Sequence, residues 1–118
     1  MNTPTKKLSL QYSITGSSPA EYNFPSIQVD GKQNLTLQIN YSDIDNSDCK
    51  LLFEQSLDNI VFSSITDVVS NPLFVILLEY DTVYTVNISG LNTAYFRIKL
   101  IRNTTTAGII NNIIYLTN

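Results

Sequence analysis

Short runs of two-residue alternation constrain this chain more than any other feature. Leu8, Leu10, Tyr12 and Ile14 alternate with Ser9, Gln11, Ser13 and Thr15, and Leu35, Leu37, Ile39 and Tyr41 with Thr36, Gln38 and Asn40. Further on, Tyr84, Val86 and Ile88 alternate with Thr85, Asn87 and Ser89, and Phe96, Ile98 and Leu100 with Tyr95, Arg97 and Lys99. Successive strand side chains point to opposite faces, so each run reads as a strand with one face buried. No 3.6-residue apolar stripe competes. Turn-forming clusters separate the runs at Gly16-Ser-Ser-Pro19, Asp30-Gly31, Asn71-Pro72, Asp81-Thr82 and Gly90-Leu-Asn-Thr93. Eight or nine short strands at this spacing predict an all-β antiparallel sandwich of the immunoglobulin, fibronectin-III or jelly-roll kind.

The segment Lys50-Leu-Leu-Phe-Glu-Gln-Ser-Leu-Asp-Asn-Ile-Val-Phe-Ser-Ser-Ile-Thr66 reads as a hairpin at the centre of the fold. Asp and Asn tolerate positive φ, so Asp58-Asn59 predicts a two-residue type I′ turn. The return strand presents Phe62 and Ile65 with opposite parity, which requires one to face outward or a bulge to re-aim it. Leu73 to Leu78 is apolar on both parities, consistent with a strand covered on both sides or with an intermolecular contact. Asn103 to Gly108 reads as a flexible loop before a closing strand over Ile109 to Thr117.

The chain has 118 residues, enough for one domain that buries roughly 65% of its unfolded surface. Residues 1–7 read as an N-terminal arm and 8–118 as a single sandwich. Only 14% of residues are charged, and the polar remainder is largely Asn, Ser and Thr, which suits pleated surfaces and contact more than helices. Seven basic and ten acidic residues give a net charge of -3, which is no footprint for nucleic acid. Lys6-Lys7 is a small basic pair, and Arg97, Lys99 and Arg102 read as a solvated strand face. The start is not patterned as a signal peptide, and the Leu73–Leu78 run is too short to cross a bilayer as a helix, so the expected product is soluble and made in the cytoplasm.

Chemistry is sparse. The chain contains no histidine, which removes Ser-His-Asp and Cys-His sites and the commonest neutral-pH base. Glu21, Glu54, Glu79 and Asp81 could supply a carboxylate pair for sugar hydrolysis, yet each lies beside a turn or on the polar parity of a strand. Asp43-Ile-Asp-Asn-Ser-Asp48 has spaced oxygen ligands but lacks the central glycine and the bidentate glutamate of a calcium loop, so it reads as a solvated turn. Asn34, Asn87 and Asn103 open glycosylation sequons by chance in a chain rich in Asn and Thr. Cys49, the lone cysteine, reads as a buried structural residue. Of seven tyrosines, Tyr12, Tyr41 and Tyr84 fall on core parities, while Tyr95 and Tyr115 are the candidates for an exposed sugar-stacking pair. No enzyme and no cofactor are expected.

Phe53-Glu-Gln-Ser-Leu-Asp-Asn-Ile-Val-Phe62 resembles a motif of small β-sandwich proteins of tailed bacteriophages, in which a strand runs into Ser-x-Asp-Gly/Asn and an aromatic follows three residues after the turn. Asn87-Ile-Ser-Gly-Leu-Asn-Thr-Ala-Tyr-Phe-Arg-Ile-Lys-Leu100 is similar to that family's aromatic-x-Arg-x strand, and Asn103-Thr-Thr-Thr-Ala-Gly-Ile-Ile110 to its last loop. The likeness runs from about Leu35 to Thr117. It implies a virion structural protein made in the host cytoplasm: a capsid auxiliary or decoration protein, with a tail or fibre component as the alternative. The implied partners are other virion proteins, above all the major capsid protein, or copies of the chain itself, with neither nucleic acid nor membrane. The expected contact residues are Lys6 and Lys7 in the arm, Leu73 and Phe74 in the apolar segment, and Asn103, Thr104, Thr105 and Thr106 in the loop. A carbohydrate-binding sandwich module is the alternative from another class.

Overall fold

The computed structural model describes residues 6–9, 11–29, 34–66, 69–79, 82–89, 91 and 93–117. Among these described residues the chain is all-β, with eleven strands in two antiparallel sheets. They are β1 (Lys6–Ser9), β2 (Tyr12–Ile14), β3 (Glu21–Asn23), β4 (Ile27–Gln28), β5 (Asn34–Ser42), β6 (Cys49–Ser56), β7 (Ser63–Ser64), β8 (Phe74–Leu77), β9 (Val83–Ser89), β10 (Tyr95–Ile101) and β11 (Gly108–Thr117). The predicted sandwich class is therefore correct. The strand count exceeds the expected eight or nine because the first alternating run is divided between β1 and β2 and the three-residue β3 shows no alternation.

One sheet runs β1-β11-β5-β9, with β2 also on β11; the other runs β3-β10-β6-β7, with β4 also on β10 and β8 also on β6. The registers explain this branching. β1 and β2 lie end to end along one edge of β11, β3 and β4 along one edge of β10, and β7 and β8 along one edge of β6. Three of the four sheet edges are thus built from two short pieces. The fourth, β9, is a continuous seven-residue strand. In β1 the register also shifts between Lys7 and Ser9, a bulge that bends this edge.

The core lies between the sheets and is filled from the alternating strands. Leu35, Leu37, Ile39 and Tyr41 of β5 meet Leu51 and Phe53 of β6 and Phe96, Ile98 and Leu100 of β10, all essentially buried. Each such aliphatic side chain contributes about 1.5–3 kcal/mol of transfer free energy. The Phe53 and Phe96 rings lie 6.1 Å apart. In β11 the register against β5 shifts between Ile110 and Asn112, which allows Ile110 and Ile113, three residues apart, both to face the core. Tyr41 can be buried because its hydroxyl accepts the Leu78 amide at 3.2 Å. At one end of the sandwich Tyr12 of β2 stacks on Tyr22 of β3, centroids 4.1 Å apart, joining the broken edges of the two sheets.

Several local expectations change. The first predicted strand is split into β1 and β2, with Leu10 outside the described residues. Residues 1–5 of the expected arm also lie outside them, while Lys6 and Lys7 belong to β1, paired with Tyr115 and Ile114. Within Leu73–Leu78, β8 (Phe74–Leu77) is an edge strand covered on one side only, with Val75 and Leu77 inward and Phe74 and Leu78 about half exposed. Tyr84, expected in the core, is exposed because β9 ends its sheet.

Candidate docking face on the six-stranded sheet

The outward row of β6 and its neighbours forms a face of mixed character. Pairing places Phe74 opposite Leu52, Arg97 opposite Glu54, and Lys99 opposite Leu52 across β10. Glu54, expected on a solvated parity, is buried. Its Oε1 accepts from Arg97 Nε at 2.7 Å, Lys99 Nζ lies 3.7 Å from Oε2, and the Phe62 ring covers the Arg97 guanidinium at 4.0 Å. Of the expected solvated set, Arg97 and Lys99 therefore belong to a partly covered charge cluster on Glu54. Phe62 faces outward onto it while Ile65 turns into the core, which resolves their opposite parity.

Beside this cluster lies a groove of about 800 Å³ whose walls include Lys50, Leu52, Phe74, Ile101, Arg102 and Asn103. Lys50 Nζ stands 5.0 Å from the centroid of the Phe74 ring, which is 47% exposed. The groove therefore brings together two of the expected contact residues, Phe74 and Asn103. Leu73 is instead half-buried against the core, and Lys6 and Lys7 are exposed on the other sheet.

The loop carrying Thr104, Thr105 and Thr106, expected to be flexible, is latched to the largely exposed Asp43–Asp48 turn. Asp48 accepts the Thr104 amide at 2.9 Å, the Thr104 hydroxyl, the Thr105 amide at 3.0 Å and the Thr105 hydroxyl at 2.6 Å. Asp45 accepts the amide and hydroxyl of Thr106 at 3.0 and 2.7 Å. Hydrogen bonds from the Thr104 and Thr105 side chains lower the Asp48 carboxyl to about 2, and those from Thr106 lower Asp45. Arg102 donates to the carbonyls of Pro19 and Thr105 at 3.2 and 3.0 Å, closing the loop from behind. Thr105 is fully buried, so it is a structural latch residue rather than a contact. The acidic segment spends its oxygens on the loop, and among the described residues no group of three or more acidic or cysteine side chains is placed to hold a metal.

The hairpin end departs from the predicted turn and produces the second feature of the face. Asn59 has φ 62°, but Asp58 does not join it in the left-handed region, so the turn is not type I′. Instead the chain makes a six-residue loop over 57–62. The Ser56 hydroxyl donates to Asp58 Oδ1 at 2.9 Å and accepts the amides of Asp58 and Asn59 at 3.2 and 3.0 Å. Asp58 Oδ1 then accepts the amides of Ile60 and Val61 at 2.9 and 3.0 Å, and these bonds lower its pKa. With its backbone tied inward, the loop holds Leu57, Ile60 and Val61 outward at 75%, 81% and 71% exposure. This apolar prong was not singled out from sequence. Three large apolar residues around a Ser-x-Asp turn were its available signal.

The proposed tyrosine pair does not form: Tyr95 lies on β10 and Tyr115 on β11, in different sheets, and Tyr115 packs against the core. Cys49 is fully buried, and burial followed by the Asp48 charge pushes its thiol up to about 12, so it is no nucleophile.

No protein-family model matches the chain, and no curated protein matches it. Solved structures do. The K3 cleaved adhesin domain of Lys-gingipain from Porphyromonas gingivalis is similar at TM-score 0.53 and 14% identity, over 97% of this chain and 73% of that one. A β-(1,4)-mannanase, GH26-CBM35, from Podospora anserina aligns at TM-score 0.48 and 17% identity, over 98% of this chain and 25% of that one. A chain of the glycosylation-associated protein complex Gap123 from Streptococcus agalactiae aligns at TM-score 0.49 and 11% identity, over 96% of this chain and 39% of that one. The chain thus spans well under half of these last two. At such identities the likeness concerns the β-sandwich fold.

Proposed function

We propose that this chain is a non-enzymatic sandwich module that docks onto a protein lattice: a structural protein of a tailed-phage virion, and within that class a capsid auxiliary protein contacting the major capsid protein in many copies. The tail or fibre is the alternative location. The observation that carries the reading is the braced apolar prong. Leu57, Ile60 and Val61 are held in water on a loop whose backbone is already fixed, and an apolar contact presented without further ordering binds at lower entropic cost. The prong lies within Phe53–Phe62, one of the three stretches, with Asn87–Leu100 and Asn103–Ile110, on which the likeness to phage sandwich proteins rests. Modest contacts of this kind become strong when repeated over a symmetric shell.

The test is mass spectrometry of density-gradient-purified particles from cultures carrying the gene, followed by immunogold labelling. Many copies per particle with label over the head are expected; label confined to the tail selects the alternative. Absence from particles, with the chain recovered in the soluble fraction, defeats the reading. The groove favours a second reading, a carbohydrate-binding module. An exposed ring at Phe74 beside Lys50 and Asn103 offers a stacking surface with hydrogen-bonding groups at its rim. A glycan array on which Phe74→Ala abolishes a signal supports it, and silence on the array removes it.

A further inference from the structure

The exposed strand β9 is the continuous edge of the five-stranded sheet, and its composition is unusual for an edge. Proteins protect edges with charge, proline, bulges or very short strands, because an open edge templates pairing with another chain. The other three edges of this sandwich are broken into short pieces, and β1 adds two lysines and a bulge. Val83-Tyr-Thr-Val-Asn-Ile-Ser89 has seven residues in regular register with β5 and contains neither charge nor proline.

The hydrogen-bond phase of this edge can be fixed. The Tyr41 amide donates to the Thr82 carbonyl at 2.9 Å, and Asn40 faces Val83. In an antiparallel ladder, hydrogen-bonded and non-hydrogen-bonded pairs alternate. Tyr84, Val86 and Ile88 therefore direct their amides and carbonyls at β5, while Val83, Thr85, Asn87 and Ser89 direct theirs away from it.

We infer that β9 is a homodimerisation edge, pairing antiparallel with β9 of a second copy about a two-fold axis at Val86. That register is self-complementary. It sets Val83 opposite Ser89 and Thr85 opposite Asn87, twice each, so all four outward-directed residues form hydrogen-bonded pairs. Thr85 and Asn87 meet as Thr36 and Asn87 already do within the chain, where the hydroxyl donates to Asn87 Oδ1 at 2.9 Å. On the opposite face Tyr84 meets Ile88 and Val86 meets Val86. These residues have core parity, but their coverage falls along the strand, from Ile88 at 3% exposure to Tyr84 at 37%. A second copy supplies the cover that the edge lacks. With no charge in the strand, the net -3 of each chain places no like charges in direct opposition across the axis. The resulting interface is isologous. It uses the sheet opposite the prong and groove and is independent of the lattice-docking reading.

The test is sedimentation velocity of the full chain from micromolar to millimolar concentration. The wild type shows a monomer–dimer equilibrium that is nearly insensitive to salt. Thr85→Pro removes an amide directed away from β5, sparing the internal ladder, and Thr85→Lys places a charge on each side of the axis. Each raises the dimer dissociation constant by about tenfold or more. Val86→Cys reads the register directly. The two Cα atoms at the axis form a non-hydrogen-bonded pair about 4.5 Å apart, within disulfide range, so mild oxidation gives a covalent dimer, while Gly16→Cys stays monomeric. Should Thr85→Pro fail to fold, Thr85→Lys and Val86→Cys carry the test. A monomer at every concentration, a dimer indifferent to the Thr85 variants, or no cross-link at Val86 overturns the inference.

Discussion

Glu54 and Arg97 face each other across β6 and β10 with Oε1 and Nε 2.7 Å apart, on the outward side of a sheet, yet Glu54 is only 6% exposed. Phe62, from the end of the hairpin loop, roofs the pair by lying over the guanidinium. A carboxylate so covered depends on its partner. Arg97→Met leaves it with Lys99 at 3.7 Å and removes the support beneath Phe62. The expected loss is about 1–3 kcal/mol by urea unfolding, toward the lower end because Arg97 is partly solvated. The double change Glu54→Leu with Arg97→Met recovers part of that loss, since no charge is then left buried alone. A double variant as unstable as the single one refutes this account.

Acid sensitivity follows from the latch between the two loops. The Asp48 carboxyl lies at about 2, below its ordinary 3.8, because it accepts hydrogen bonds from Thr104 and Thr105. A group lowered in the folded state stabilises above its unfolded pKa, and that contribution disappears as pH falls through the folded value. Asp45 and Asp58 act in the same direction. Melting temperature therefore declines between about pH 5 and about pH 2. Asp48→Asn lowers the neutral-pH plateau and flattens the slope. An unchanged slope in the variant contradicts the assignment.

Thr105→Val tests the same latch without charge. The side chain is fully buried, and its hydroxyl lies 3.0 Å from the Asn46 carbonyl and 2.6 Å from Asp48. Replacement by a group of the same shape removes the one hydroxyl proton that these two acceptors share, at a cost of about 1–3 kcal/mol in thermal unfolding.

Cys49 is expected to be unreactive. Its thiol is buried and displaced to about 12, so Ellman's reagent labels it only in denaturant. Rapid labelling of the native protein would show that the β6 start opens far more often than its packing implies.

The prong separates docking from folding. Replacing Leu57, Ile60 and Val61 with serine removes apolar groups that face water, so stability changes by less than about 0.5 kcal/mol per site. Incorporation into particles is expected to fall sharply, measured by quantitative mass spectrometry of gradient fractions. Normal incorporation of a folded triple variant refutes the prong as the contact.

What the sequence made legible was the alternation. The strands β5, β9 and β10 each follow a run of apolar residues on one parity, because half-buried pleated chain has no other pattern, whereas in β11 the bulge moves the core parity between Ile110 and Ile113. Of the short pieces, β2 lies within the first alternating run and β7 within the expected return strand, but their boundaries did not show, since their backbone partners, not their side chains, place them. Loop chemistry was the other blind spot. Asp45 and Asp48 looked like a solvated turn because their acceptors' partners, Thr104 to Thr106, lie more than fifty residues away. Glu54 looked solvated because parity says which way a side chain points, not whether Phe62 then closes over it.

The unequal edges of this sandwich set a valence. Cross-β growth requires each molecule to offer two open edges, one to receive a strand and one to pass the template on. Here β9 is continuous, whereas the opposite edge of its sheet is divided between β1 and β2, with Lys6, Lys7 and a bulge along it. A molecule with a single usable edge can be matched once, after which nothing remains for a third copy to read. Strand pairing through β9 would therefore be self-terminating, since a paired molecule keeps no second continuous edge among its described residues.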